Sequence, residues 1–303
     1  MSIVICQLPK AGLGNQLFPL VKAATFSKLN GLPLSVVGYH QLKIGPYLRG
    51  EKSKRRYNGY FSFEKSFFGE QLDRLALQRY SRYPAVSDPE VRALPAKDLD
   101  GKRFVFSAIP HWGDYFAGLR EHRELAMTLF RGMLHENIAR KAAALSAPCI
   151  GVHIRMGDFR KLTMGEDFGA AGAVRTPEPY FEEIIDKIRS INGRKDLPVS
   201  VFTDGHPHEF KRLFSLPAVR LVSGNQDIVD MLLLSKSSII VASAGSTFSY
   251  WAGFLADAPF IDHPAHRHSP VRPGPVNTTW YEGPFDLSAD GGLLEKNIRA
   301  ITR

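Results

Sequence analysis

The 303-residue chain reads as an α/β protein of two domains, each built around a parallel sheet. Three observations predict this. The length exceeds what one hydrophobic core usually serves, so two domains of about 150 residues are expected. The first 37 residues read strand, glycine loop, helix, strand, the order of a βαβ unit. From residue 148 onward, apolar strand-like runs alternate with helical patterns, and that alternation implies parallel strands covered on both faces.

The elements follow in order. Residues 2–8 predict a first strand through Ile3, Val4, Ile5 and Leu8, and 11–15 a turn containing Gly12 and Gly14. Residues 16–29 predict a helix with Leu17, Leu20, Val21, Ala24 and Phe26 apolar, and 33–37 a second strand. From 38 to 95 the chain becomes irregular and rich in Lys, Arg, Tyr and Phe, with a helical stretch at 66–79. A strand at 103–109, an aromatic loop at 110–116 and one long helix over 119–145 come next. The Ser146-Ala147-Pro148 break marks the boundary between domains 1–147 and 148–303. Beyond it, strands at 149–155, 198–203, 219–223, 238–242 and 258–262 alternate with helices at 178–190, 206–214, 226–235 and 247–256.

Composition is that of an ordinary globular protein, 44% hydrophobic and 23% charged, which argues against a mainly disordered chain. Cys6 and Cys149 sit in apolar runs and make no disulfide framework, as expected for a reducing compartment. No basic leader or membrane-length apolar run occurs, so the reading is cytoplasmic, at most peripheral to the inner face of a membrane. A formal net charge of +9 favours anionic partners: nucleotide sugars, lipid diphosphates, membrane surfaces or nucleic acid. The densest basic run is 49–56, flanked by Tyr47 and Tyr57; it reads either as a solvated loop or as a contact with an anionic surface. Nucleic acid is not expected, because no recognition motif accompanies the charge.

The segment 151–159 carries the most chemistry. Ile150, Val152 and Ile154 make a buried strand, Gly151 permits close approach, and the strand ends by presenting His153, Arg155 and Asp158. A guanidinium offers paired donors to phosphate oxygens, so Arg155 suits a diphosphate; a structural Arg–Asp pair is the alternative. Gly12, Gly14 and Asn15 precede a helix N-terminus, a setting for a diphosphate or a sugar, but they lack the full dinucleotide or P-loop patterns. Near residue 243 an apolar strand runs through Ser243 into Ser246, Thr247 and Phe248, where hydroxyls and helix amides converge; helix capping by Ser246 or Thr247 is the alternative. Asp204 ends a strand where it either meets a ribose or base or forms a turn. His111, Trp112 and Asp114 form a candidate sugar platform, or a packed aromatic corner. Asp98 with Asp100, and His263, His266 and His268, are weak metal signals, so no metal site is assigned.

In order, these segments are Gly-Leu-Gly-Asn-Gln (12–16), His-x-Arg-x-Gly-Asp (153–158), Thr-Pro-Glu-Pro-Tyr-Phe (176–181), Phe-Thr-Asp (202–204), Asp-x-x-Leu-Leu-Ser (230–235) and Ser-Thr-Phe-Ser-Tyr-Trp (246–251). The series resembles the bacterial α-1,2-fucosyltransferase family. Met156 stands where that family carries a second arginine, Tyr250 where it carries tryptophan, and Ala244-Gly245 looks inserted. The resemblance implies a GT-B-like pair of Rossmann-like domains facing a cleft, with the nucleotide held mainly by the second. It also implies transfer of L-fucose from GDP-β-L-fucose to a glycan hydroxyl, with inversion and without a metal or other cofactor. Arg155, His153, Asp158 and Asn15 would then be catalytic. Donor binding would fall to Gly12, Gly14, Asn15, Arg155, Asp204, Ser243, Ser246, Thr247 and Phe248. The acceptor, lipid-linked or free, would meet His111, Trp112 and Asp114. Other readings are the same fold with another nucleotide sugar or linkage in surface polysaccharide assembly, and a noncatalytic RNA- or membrane-surface module.

Overall fold

The computed structural model describes residues 2–41, 44–48, 50, 54–266, 268–274 and 279–302. Two compact units emerge, one of Met1–Lys43 with Arg55–Arg140 and one of Ile44–Lys54 with Lys141–Arg303. Each is α/β with a wholly parallel sheet, as the strand–helix alternation predicts.

The first unit contains β1 (Ile3–Gln7), α1 (Leu13–Asn30), β2 (Leu34–Val37), α3 (Phe67–Leu77), β3 (Ala85–Ser87), α4 (Ala96–Leu99), β4 (Arg103–Phe106) and α5 (Arg123–Met133); a single turn, α2 (Gly45–Leu48), belongs to the second unit. Strand order is β2-β1-β4-β3, so the sheet changes direction between β1 and β4. Val4, Cys6, Phe104 and Phe106 are buried, and Phe26 of α1 packs on both phenylalanines. Two expectations change here. The stretch from 38 to 95 is not merely irregular, since besides the helix expected at 66–79, which appears as α3, it contains the edge strand β3. The long helix over 119–145 is broken: a 3₁₀ turn at Arg120–His122 leads into α5, and extended Leu134 separates α5 from α6 (Glu136–Ala144). Leu134 leaves the helix because it bridges to Phe61, while Ser62 N–H and His135 N–H bond across the same pair of segments. The division between units falls within α6.

The second unit contains β5 (Ile150–Ile154), α7 (Glu178–Asn192), β6 (Val199–Thr203), β7 (Val219–Leu221), α8 (Asp227–Leu234), β8 (Ile239–Val241), α9 (Thr247–Leu255), β9 (Phe260–Asp262), β10 (Glu282–Pro284) and α10 (Leu293–Arg299). Its order, β10-β9-β8-β5-β6-β7, is that of a doubly wound dinucleotide-binding sheet. β5, buried at every position, lies at the centre. The helix expected at 206–214 is instead two 3₁₀ turns, Pro207–Glu209 and Leu213–Ser215, because Phe210, at φ −129° and ψ 47°, ends the first and extended Leu216 the second. Gly151 admits a neighbouring side chain rather than a backbone: a Cβ there would overlap Ser237 Oγ and come within 2.7 Å of Leu234 Cδ1. Among the described residues no helix is long and apolar enough to cross a membrane.

Candidate active site

In each unit the sequence-predicted polar groups follow the strands beside the point where strand order reverses, the place where open α/β sheets take ligands. In the second unit those strands are β5 and β8. The parallel register pairs Ile154 with Thr203, so the next residues, Arg155 and Asp204, leave the sheet side by side. Val152 pairs with Val241, which brings Ser243 alongside the same strand end.

The resulting contacts are close. Arg155 Nη1 is ion-paired with Asp204 Oδ2, and Nη2 with Asp158 Oδ1 at 2.5 Å. Asp204 Oδ1 accepts from Met156 N–H at 2.7 Å, so one carboxylate holds both the guanidinium and the turn beneath it. The Arg155 backbone N–H donates to Ser243 Oγ at 2.9 Å, and the guanidinium lies over the Phe159 ring at 5.7 Å. Asp204 is 14% exposed against 41% for Asp158, which makes Asp158 the more displaceable partner of Arg155. Met156 turns inward to the core; a Cβ on Gly205 would approach its Cγ to 2.6 Å.

His153 is buried. Its Nδ1 shares a hydrogen bond with Ser249 Oγ at 2.7 Å, and its ring stacks on Phe248 at 4.6 Å. Burial, and then the charge of Arg155, push its pKa down to about 3, so the imidazole is neutral at physiological pH.

After β8, consecutive amides of the loop are held by hydroxyls: Ala244 N–H donates to Thr176 Oγ1 at 3.0 Å and Gly245 N–H to Tyr250 Oη at 2.8 Å. Gly245 sits at φ +66°, a left-handed backbone that favours glycine. Ser246 occupies the N-cap position of α9 without a side-chain capping bond, and its Oγ is 3.5 Å from His153 Nδ1 instead. The capping alternative for Ser246 therefore fails. Thr247 and Phe248 form the first turn of α9, where amides and helix dipole favour an anion. Nothing in the sequence singles out Thr176, Ser249 or Tyr250 as individual site residues, since hydroxyls reaching back to a loop leave no spacing signal.

In the first unit, Gly12 is the N-cap of α1 at φ −64°, and Leu13, Gly14 and Asn15 already belong to the helix, which thus begins earlier than the expected turn allows. Leu13 N–H donates to Tyr57 Oη at 2.9 Å. A Cβ at Gly12 would meet nothing within 4 Å, and Asn15 Oδ1 is buried without a hydrogen-bond partner. The loop after β4 divides in two. Tyr115 stacks on Phe18 of α1 and Phe116 meets the same ring edge-on, the packed corner, whereas Trp112 is exposed and Asp114 is paired with Arg120.

The weak metal signals do not converge. Asp98 lies in α4 and Asp100 at its C-cap, while His266 Nε2 bonds Phe168 O at 2.9 Å and His268 Nδ1 bonds Ser269 O at 2.7 Å. Among the described residues no group of three or more His, Cys, Asp or Glu side chains gathers as a metal site.

No curated protein matches the chain by sequence. Among solved structures, the fucosyltransferase NodZ from Bradyrhizobium superposes with a TM-score of 0.53 at 16% identity, covering 88% of this chain and 97% of NodZ. NodZ α-1,6-fucosyltransferase soaked with GDP-fucose gives 0.50 at 16% identity, covering 86% of this chain and 95% of the other. At such identity the likeness is one of fold, α/β with parallel sheets. The family is settled by residues 92–261, more than half of the chain, which match the model of glycosyl transferase family 11: this chain is a glycosyltransferase of that family.

Proposed function

We propose that the chain transfers L-fucose from GDP-β-L-fucose to a hydroxyl of a glycan acceptor, with inversion, without a metal, and forming an α-1,2 linkage. The observation that carries the reading is Arg155, a permanent cation at the end of β5 between Asp204 and Asp158, with its backbone held by Ser243 of the loop that leads into α9. NodZ structures soaked with GDP-fucose and crystallised with GDP supply the donor.

The C1–O bond of the fucosyl group breaks with both electrons passing to the β-phosphate, and the acceptor oxygen bonds to C1 from the opposite face. Negative charge grows on the leaving phosphate, and donors already fixed there lower the barrier. Phosphate oxygens displace the more exposed Asp158 from Arg155, while Asp204 keeps the guanidinium in place. Amides of Thr247 and Phe248, in the first turn of α9, complete the donor grip, while Ser243, wholly buried, holds the Arg155 backbone rather than the donor. The proton leaves the acceptor hydroxyl for Asp158, the carboxylate freed by the diphosphate. His153, neutral and buried, positions Phe248 and Ser249 and is too weak a base to take that proton. Asp114, paired with Arg120, and Glu178, which accepts from Leu213 N–H at 3.0 Å, are otherwise engaged. Trp112 and His111 would present the acceptor.

A thermal-shift comparison of GDP, GDP-fucose, GDP-mannose and UDP in the presence of EDTA tests this. A ligand at a hundredfold excess over its Kd stabilises the fold by about 2.7 kcal/mol. Stabilisation by the GDP compounds alone is expected, whereas a preference for UDP would point to the same fold serving another nucleotide sugar.

A further inference from the structure

The helix α3 is turned inside out. Its one buried residue is Glu70, 1% exposed, while Phe68, Leu72 and Leu75 are 78%, 66% and 59% exposed. At spacings of four and three these three line one face, with Phe67 exposed beside it, and Arg79 follows in the 3₁₀ turn Gln78–Tyr80 directly after the helix. The inversion has a local cause. The Glu70 carboxylate accepts from Gly38 N–H at 2.7 Å and His40 N–H at 3.0 Å just beyond β2, and Arg74 binds it at 2.6 Å. That anchor holds the acidic side against the unit and sends the apolar side into solvent.

Charge sorts the same way. Over residues 65–82 the acids are Glu70 and Asp73 and the cations Lys65, Arg74, Arg79 and Arg82. Both carboxylates are engaged, Glu70 as above and Asp73 with Lys65 at 2.7 Å. Arg79 and Arg82 are exposed and lie over the rings of Tyr80 and Tyr83 at 4.9 and 5.3 Å. Exposed Phe and Leu on a helix about 16 Å long, followed by exposed cations, is the make-up of a segment that lies in a membrane interface. A second copy of the chain would bring like cations together, whereas anionic headgroups complement them.

We propose that α3 docks this protein on an anionic lipid surface, with Phe68, Leu72 and Leu75 entering the interface and Arg79 and Arg82 meeting phosphate. The basic run 49–56, the stretch that the sequence marks for such a contact, falls partly outside the described residues and is not needed for it.

The test is flotation of the full chain with phosphatidylcholine vesicles, with and without phosphatidylglycerol, and it requires no activity. Binding to the anionic vesicles alone, weakened by salt, is expected. Replacing Phe68→Ser, Leu72→Gln and Leu75→Gln together should lower it at least about tenfold while far-UV circular dichroism and melting temperature hold, since these side chains are exposed. Arg79→Glu with Arg82→Glu should also lower it about tenfold or more. Absence of flotation, or equal flotation of both variants, overturns the proposal. A wild-type dimer that the apolar triple variant converts to monomer would assign the face to a second copy instead and equally overturn it.

Discussion

The phenolic oxygen of Tyr250 accepts a hydrogen bond from Gly245 N–H at 2.8 Å, closing the loop between β8 and α9 onto the helix that follows it. A tryptophan, which the family resembled in the sequence carries at this place, has an indole donor and no acceptor, so it could not hold that amide. The inserted-looking Ala244-Gly245 and the tyrosine thus belong to one device that sets where Ser246, Thr247 and Phe248 begin α9. Tyr250→Phe removes one net hydrogen bond and strands a part-buried amide, a cost of about 1 kcal/mol. GDP affinity measured by titration calorimetry should fall several-fold; an unchanged Kd would show that the loop does not depend on the bond.

Arg155→Lys keeps a cation but loses the planar fork that spans Asp204 and Asp158. kcat/KM for the proposed transfer should drop by a hundredfold or more, about 3 kcal/mol of transition-state stabilisation, with melting temperature within a few degrees of wild type. Near-normal turnover would refute the role given to Arg155.

Asp158→Asn separates base from anchor. If Asp158 receives the proton, kcat falls and the acidic limb of the pH–rate profile disappears, while donor KM stays the same or improves because Arg155 is less engaged. A profile that keeps its acidic limb places the base elsewhere.

His153 makes stability depend on pH. Its folded pKa, about 3, lies below the value of 6.5 for an ordinary histidine, so between those limits the unfolded chain binds a proton that the folded chain does not. Stability is full above about pH 6.5 and declines as pH falls toward 3, by up to about 1.4 kcal/mol per pH unit. His263, lowered to about 4 by burial and His266, adds in the same direction. Urea melts between pH 7 and 4 should show the decline, with a shallower slope in His153→Gln; an identical slope in the variant would assign the titration to other groups.

Gly151→Ala tests the packing behind the site. The new methyl would overlap Ser237 Oγ, in the turn after α8, and crowd Leu234 Cδ1, at the end of α8, both buried. Overpacking of this kind costs about 1–3 kcal/mol, read as a lower urea midpoint at unchanged m-value.

Much of this protein is legible in the sequence. The β-branched run of 150–154 predicts a buried central strand, because only a strand covered on both faces tolerates it, and Arg155 and Asp158 follow at its tip. Ordered segments point to a fucosyltransferase family without any structure, and the match of residues 92–261 bears this out at the level of glycosyl transferase family 11. What the sequence does not show is pairing. Nothing in it sets Asp204, 49 positions away, against Arg155, or Thr176, 68 positions from Ala244, against the loop amide; the parallel register of β5 and β6 does the first, and the packing of the segment before α7 does the second. His153 looks like an acid–base residue in sequence and is a buried neutral one in the fold, since burial is a property of the packed chain. Likewise the apolar pattern of α3 predicts a helix but not which side faces out, because the anchoring of Glu70 by the amides beyond β2 outweighs the usual preference to bury leucine. Local chemistry, strand by strand, belongs to the sequence; partners, burial and exposed faces exist only once distant segments share a register.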